Sequence, residues 1–233
     1  MNLIINPTGI SMISNHTRNN DCLNKKFKAI YGKQENESEV IDFEKSLRDC
    51  INTTNLTLNQ LSGETNSLLQ MKNEGLINPG EDKIVLLYSD SIECLVATNV
   101  IKEKLISELE FQQTNVLTKK LTDINVGDAN HFVKPGLENF LETLDNLILD
   151  RNIEEVDEIF INVTTGFKGI IPLFTIFNKK VHSNRSFRKP CNLCYLFEGS
   201  KDIIKYVIDG KGVEVSTKKG KVKFQHSASK YDI

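Results

Sequence analysis

Short apolar runs bounded by polar or turn-forming residues recur along this chain, separated by stretches with helical spacing. Leu3-Ile4-Ile5-Asn6, stopped by Pro7 and Gly9, predicts a buried strand that ends in a tight loop. From Ser11 to Ile30 the pattern is that of a broken helix. Val40, Ile41, Phe43, Leu47 and Cys50 recur at mostly helical spacing within Ser38 to Ile51, as do Leu58, Leu61, Leu68 and Leu69 within Thr57 to Met71. Asn78-Pro79-Gly80 then breaks the chain. Ile84-Val85-Leu86-Leu87-Tyr88 is a continuous apolar run, which predicts a strand covered on both faces. Ser89-Asp90-Ser91 supplies capping side chains for a helix to about Glu110.

Asn115-Val116-Leu117-Thr118 predicts a weaker strand, followed by a polar loop through Gly127 and Asp128 and a helix from Pro135 to about Asp150. Ile159-Phe160-Ile161 marks the core of a strand within Val156 to Val163, and Thr164-Thr165-Gly166 turns it into an apolar helix, Phe167 to about Val181. Asn192 to Phe197 is the next strand. Such alternation predicts an α/β, Rossmann-like fold: a mostly parallel sheet with helices on both faces. Ile203 to Ile208, Gly212 to Ser216 and Val222 to Gln225 read as short strands joined by Gly-Lys turns. The expected organisation is a main domain over residues 1–208 and a short C-terminal β appendage over 209–233.

Composition narrows the function classes. With 233 residues and 39% hydrophobic positions, the chain can build a core without staples. Its charge, 29 − 31 = −2, argues against holding long nucleic acid by counterion release but leaves room for a small anion at a local site. Five cysteines do not fit a secreted disulfide framework. No basic segment followed by an apolar one opens the chain, and no run is long enough to span a bilayer, so a soluble cytoplasmic protein is expected.

In a doubly wound sheet, ligands bind beyond the carboxyl ends of the strands where strand order reverses. With the order 3-2-1-4-5, strands 1 and 4 meet at that point. The loops that follow them, Asn6-Pro7-Thr8-Gly9-Ile10-Ser11 and Asn162-Val163-Thr164-Thr165-Gly166-Phe167-Lys168, are rich in glycine and small hydroxyl residues and lead toward helix starts. Free backbone N–H groups there suit a phosphate, giving a crevice lined by Ser11 and Lys168. Each loop alone also fits ordinary turn chemistry; their shared position raises the functional reading.

These two loops resemble those of the CRISPR-associated Rossmann fold (CARF) family, the sensors of cyclic oligoadenylate in type III CRISPR defence. The first loop is similar to that family's Pro/Gly/Thr/Ser turn. The second resembles its Asn-Val/Ala-Thr-Gly-Gly-Phe/Tyr-Lys motif, with Thr165 in place of the first glycine. Leu87-Tyr88-Ser89-Asp90 and Tyr195-Leu196-Phe197-Glu198-Gly199 match as well, so the resemblance spans roughly residues 1 to 208. It implies a homodimer with one pocket across its two-fold axis for cyclic tetra- or hexa-adenylate. The implied ligand-binding residues are Thr8, Gly9, Ile10, Ser11, Ser89, Asp90, Thr164, Thr165, Gly166, Phe167 and Lys168, with no cofactor, metal or membrane partner.

No Arg is followed at four to six intervening residues by His, so the ribonuclease signature of the family's effectors is missing, and roughly 25 residues after Ile208 are too few for an independent catalytic domain. Glu81-Asp82-Lys83 superficially matches a nuclease motif but precedes strand 2, where a polar turn is expected. Stand-alone relatives of this size are often ring nucleases, and the reading leans toward that activity. It is metal-independent, the ribose 2′-OH attacking the adjacent phosphate to leave a linear product with a 2′,3′-cyclic phosphate. Ser11 and Lys168 are the expected catalytic residues, one orienting the attack and the other stabilising charge. The alternative is a non-catalytic sensor that binds the ring and regulates a partner or an absent effector domain. A nucleotide-cofactor enzyme ranks last, since no Gly-x-Gly-x-x-Gly or Walker A loop is present.

Cys191-Asn192-Leu193-Cys194 lacks a second pair and reads as buried strand residues rather than a zinc site. His131 is a weak candidate in a loop after strand 3. Lys179, Lys180, Arg185, Arg188 and Lys189 fit a helix C-terminus and a solvated loop.

Overall fold

The computed structural model describes residues 1–18, 20–31, 37–124, 135–149, 156–164, 168–183, 189–197, 199, 201–209 and 212–225. Its centre is one eight-stranded sheet built from β1 (Leu3–Pro7), β2 (Lys83–Ser89), β3 (Val116–Leu121), β4 (Ile159–Asn162), β5 (Cys191–Phe197), β6 (Asp202–Asp209), β7 (Gly212–Thr217) and β8 (Gly220–Gln225). The order is β3-β2-β1-β4-β5-β6-β7-β8. The first five strands in this order pair in parallel, as the alternation of strands and helices requires, and β6, β7 and β8 join antiparallel beyond β5. The C-terminal strands therefore extend the same sheet.

Alternate residues of the parallel strands feed two cores, one on each face. Ile4, Ile84, Leu86, Phe160 and Leu196 pack under the helices of the N-terminal half: α1 (Ser11–Thr17), α2 (Asp21–Ile30), α3 (Glu37–Thr53), α4 (Leu58–Leu61), α5 (Gly63–Asn73) and α6 (Ile92–Ser107). Leu3, Ile5, Val85, Leu87, Ile161 and Leu193 pack under α7 (Leu137–Leu149) and α8 (Ile171–Ser183). β1 is buried along its whole length, as its unbroken apolar run predicts.

Several boundaries differ from the sequence expectation for local reasons. The single helix expected over Thr57 to Met71 is two, because Ser62 is extended (φ −159°, ψ 168°) and caps α5, its hydroxyl accepting from Thr65 N–H. A left-handed Gly75 (φ +71°) ends α5, with Leu76 N–H returning to the Met71 carbonyl at 2.9 Å. The helix after β2 stops at Ser107 rather than near Glu110, which takes a positive φ of 68°. β3 extends to Leu121. Phe167, where a helix is expected to start, lies outside the described residues; from Lys168 to Ile170 the chain forms a 3-10 turn ahead of α8. The polar loop through Gly127 and Asp128 lies outside the described residues.

Candidate functional site

Strand order reverses between β1 and β4, which are hydrogen-bonded neighbours in register Leu3↔Ile159, Ile4↔Phe160 and Ile5↔Ile161. The two loops singled out by sequence thus leave the sheet side by side. Pro7 helps to separate them. Along β1 the odd-numbered amides face β4 (Leu3 N–H to Glu158 carbonyl, 3.0 Å), whereas Thr8 N–H faces β2 (Leu87 carbonyl, 2.7 Å). Position 7 would supply the next bond toward β4, and proline has no N–H to give.

Side chains join the strand ends where the ladder stops. Asn162 Nδ2 donates to Asn6 Oδ1 at 2.8 Å, with both residues buried. Asn162 Oδ1 accepts from Ser67 Oγ (3.0 Å) and from Thr164 N–H (3.2 Å), and Thr164 Oγ1 lies 2.9 Å from Ser67 Oγ. Thr164 Oγ1 also accepts from Leu196 N–H at 2.9 Å, tying the β4 loop to β5. Ser67 belongs to α5, whose first turns therefore roof the gap between β1 and β4.

Glu64, one turn earlier on α5, is only 1% exposed. Its Oε1 accepts from Gly9 N–H at 3.1 Å, and its Oε2 accepts from the Ser11 hydroxyl at 3.1 Å. The donors expected to hold a phosphate on the first loop thus face a carboxylate of this same chain. Thr8 is 4% exposed, and its Oγ1 has no hydrogen-bond partner among the described residues. Ile10 precedes α1 without making a side-chain cap.

Ser89 closes β2 and Asp90 follows it, with Asp90 Oδ2 accepting from Asp123 N–H at 3.3 Å. Ser91, not Asp90, caps α6, accepting from Cys94 N–H at 3.3 Å. Thr165, Gly166, Phe167 and His131 lie outside the described residues; Lys168 opens the turn before α8, at the far end of the β4 loop. The site thus gathers Thr8, Gly9, Ser11 and Thr164 around α5, with Ser89 and Asp90 one strand away at the end of β2.

Sequence reasoning missed Glu64 and Ser67. A signal was present: both fall on the buried stripe of α5 that carries Leu68 and Met71, where a carboxylate is out of place unless it has dedicated donors.

Cys191 and Cys194 belong to opposite cores, so their thiols lie on opposite faces of the sheet and cannot share a metal ion. Burial pushes the Cys191 thiol up to about 12. No group of three or more His, Cys, Asp or Glu side chains gathers among the described residues in a way that could hold a metal. Away from these loops, a cleft of about 320 Å³ opens between the C-terminal ends of α3 and α6, where Lys104 pairs with Glu108 at 2.6 Å.

The family described as "CRISPR-associated protein (Cas_APE2256)" matches residues 59–208, which is 150 of the 233 residues. The chain belongs to this CRISPR-associated family. No curated protein matches it. Within this CRISPR-associated protein, the matched span takes in Glu64, Ser67, Asn162 and Lys168, whereas the β1 loop precedes it. No helix among its described residues is long and apolar enough to cross a membrane.

Proposed function

We propose that this CRISPR-associated protein binds cyclic oligoadenylate over the ends of β1 and β4, in the cytoplasm, and opens the ring as a metal-independent nuclease. The observation that carries the reading is the buried Asn6–Asn162 bond, which sets the two loops side by side at the point of strand reversal. Thr8 adds a buried hydroxyl with no partner among the described residues, ready for a polar atom of a ligand.

RNA brings its own nucleophile, so the protein has to align the ribose 2′-OH with the neighbouring phosphorus and stabilise the charge that develops. Ser11 aligns the hydroxyl, and Lys168 and the N–H groups of the β4 loop meet the phosphate. A ring with an even number of nucleotides shares a two-fold axis with a homodimer that presents this site twice. Incubation with cyclic tetra- and hexa-adenylate in EDTA, followed by chromatography, is expected to yield linear products ending in 2′,3′-cyclic phosphate. Intact rings after incubation with excess protein overturn the nuclease reading, and full activity of Lys168→Ala overturns the role given to that residue. Sedimentation with and without the ring tests the dimer.

A sensor without turnover is the second reading. It is favoured by the apolar Val222 and Phe224, exposed on β8 at the sheet edge, where a partner could dock. Tight binding of an intact ring distinguishes it.

A further inference from the structure

We propose that Glu64 is the proton acceptor for the attacking ribose 2′-OH, reached through the Ser11 hydroxyl, an inference that rests on the ring-cleavage reading above. The buried carboxylate lies behind a half-exposed serine, with Ser11 Oγ 3.1 Å from Oε2 and 3.4 Å from Oε1. Ser11 has one hydroxyl proton. Donated to Glu64, it leaves the serine lone pairs as acceptors for an incoming hydroxyl.

Position on α5 suits a carboxylate. It stands in the first turn of an eleven-residue helix, where the helix dipole favours a negative charge, and Gly9 N–H fixes Oε1. That charge repels a phosphate from the β1 loop. The β1 loop is thereby left to the uncharged ribose hydroxyl. Thr8, whose buried hydroxyl has no hydrogen-bond partner among the described residues, lies on the same loop.

The step balances without a co-reactant. The 2′-oxygen forms a bond to phosphorus as its proton passes to Ser11 Oγ and the serine proton passes to Glu64 Oε2. The P–O5′ bond breaks, O5′ takes a proton from water, and Glu64 returns its proton to water. Ser11 touches the substrate; Glu64 acts through Ser11 and is a positioning and proton-accepting residue.

Glu64→Gln keeps the size of the side chain and an oxygen for Gly9 N–H but cannot take a proton at neutral pH. Its kcat for cyclic oligoadenylate is expected to fall by about 100-fold or more, while KM and ring affinity stay within about threefold of the unchanged protein. Glu64→Asp, which restores a carboxylate, is expected to recover roughly tenfold of that loss. Single-turnover cleavage by the unchanged protein is expected to slow in D2O, a measurement that needs no variant to fold. If Glu64→Gln cleaves as fast as the unchanged protein, or if D2O has no effect, the proton role is overturned while ring cleavage stands. If Glu64→Gln and Glu64→Asp lose binding and turnover together, Glu64 is only a tether between α5 and the β1 loop. If the unchanged protein cleaves no ring, the ring-cleavage reading falls and this inference with it.

Discussion

Asn162 at the end of β4 and Asn6 at the end of β1 lie 156 residues apart in sequence, yet their side chains share a buried 2.8 Å hydrogen bond. The same Asn162 amide accepts from Ser67 and from Thr164 N–H, so one side chain holds both loops and α5 in a single arrangement.

Removing that side chain strands several buried polar groups at once. Asn162→Ala is expected to destabilise the fold by about 2–3 kcal/mol, read as a lower midpoint in urea with an unchanged slope. A variant as stable as the parent would show that the Asn6 and Ser67 groups find other partners.

Thr8 offers the opposite case. Its hydroxyl makes no hydrogen bond to the described residues, so Thr8→Val removes none from the fold and is expected to keep or raise Tm. If the ring uses this hydroxyl, affinity for cyclic oligoadenylate drops by roughly five- to tenfold, the worth of one hydrogen bond. Unchanged affinity in a titration would remove Thr8 from the site.

His16, on α1, gives a pH dependence with a defined sign. Burial lowers its pKa below the ordinary 6.5, opposed by a hydrogen bond to the Leu61 carbonyl, and its Nε2 has no partner among the described residues. The neutral ring fits the fold, so the unfolded chain binds the proton more readily. The stability held by neutral His16 is complete above the unfolded value near 6.5 and is lost as pH falls through the folded value. Tm is expected to fall between pH 7.5 and 5, and to fall less in His16→Gln. Equal falls in the two proteins would assign the acid sensitivity to other groups.

The cysteines should separate by burial. Cys22 is exposed and Cys50 half-buried, whereas Cys94, Cys191 and Cys194 are buried, and burial pushes all three of these thiols upward. A thiol reagent at pH 8 is expected to modify Cys22 first and Cys50 slowly, reaching the other three only after denaturation. Rapid modification of Cys191 or Cys194 in the native protein would contradict their place inside the two cores.

Much of the architecture was legible locally. The apolar run at β1 announces a buried strand and the run at β2 one covered on both faces, and the spacing of Leu3-Ile4-Ile5 and Ile159-Phe160-Ile161 among helical stretches announces parallel pairing. The same patterns placed the loops after β1 and β4 as the candidate crevice. Spacing alone merges α5 into one longer helix, because periodicity does not register a single extended residue such as Ser62, whose hydroxyl restarts the helix. The partner of Ser11 was equally hidden, since Glu64 lies 53 positions away and nothing in either local stretch names the other.

Hydrophobic periodicity along the chain thus determined which segments are strands and helices, which faces they bury, and which turns could hold a ligand, because those properties depend on neighbours a few residues apart. Tertiary structure alone decided that α5 roofs the β1–β4 gap and that a carboxylate stands behind Ser11. A buried charge is tolerated only where distant donors converge on it, and that convergence comes from how the chain packs.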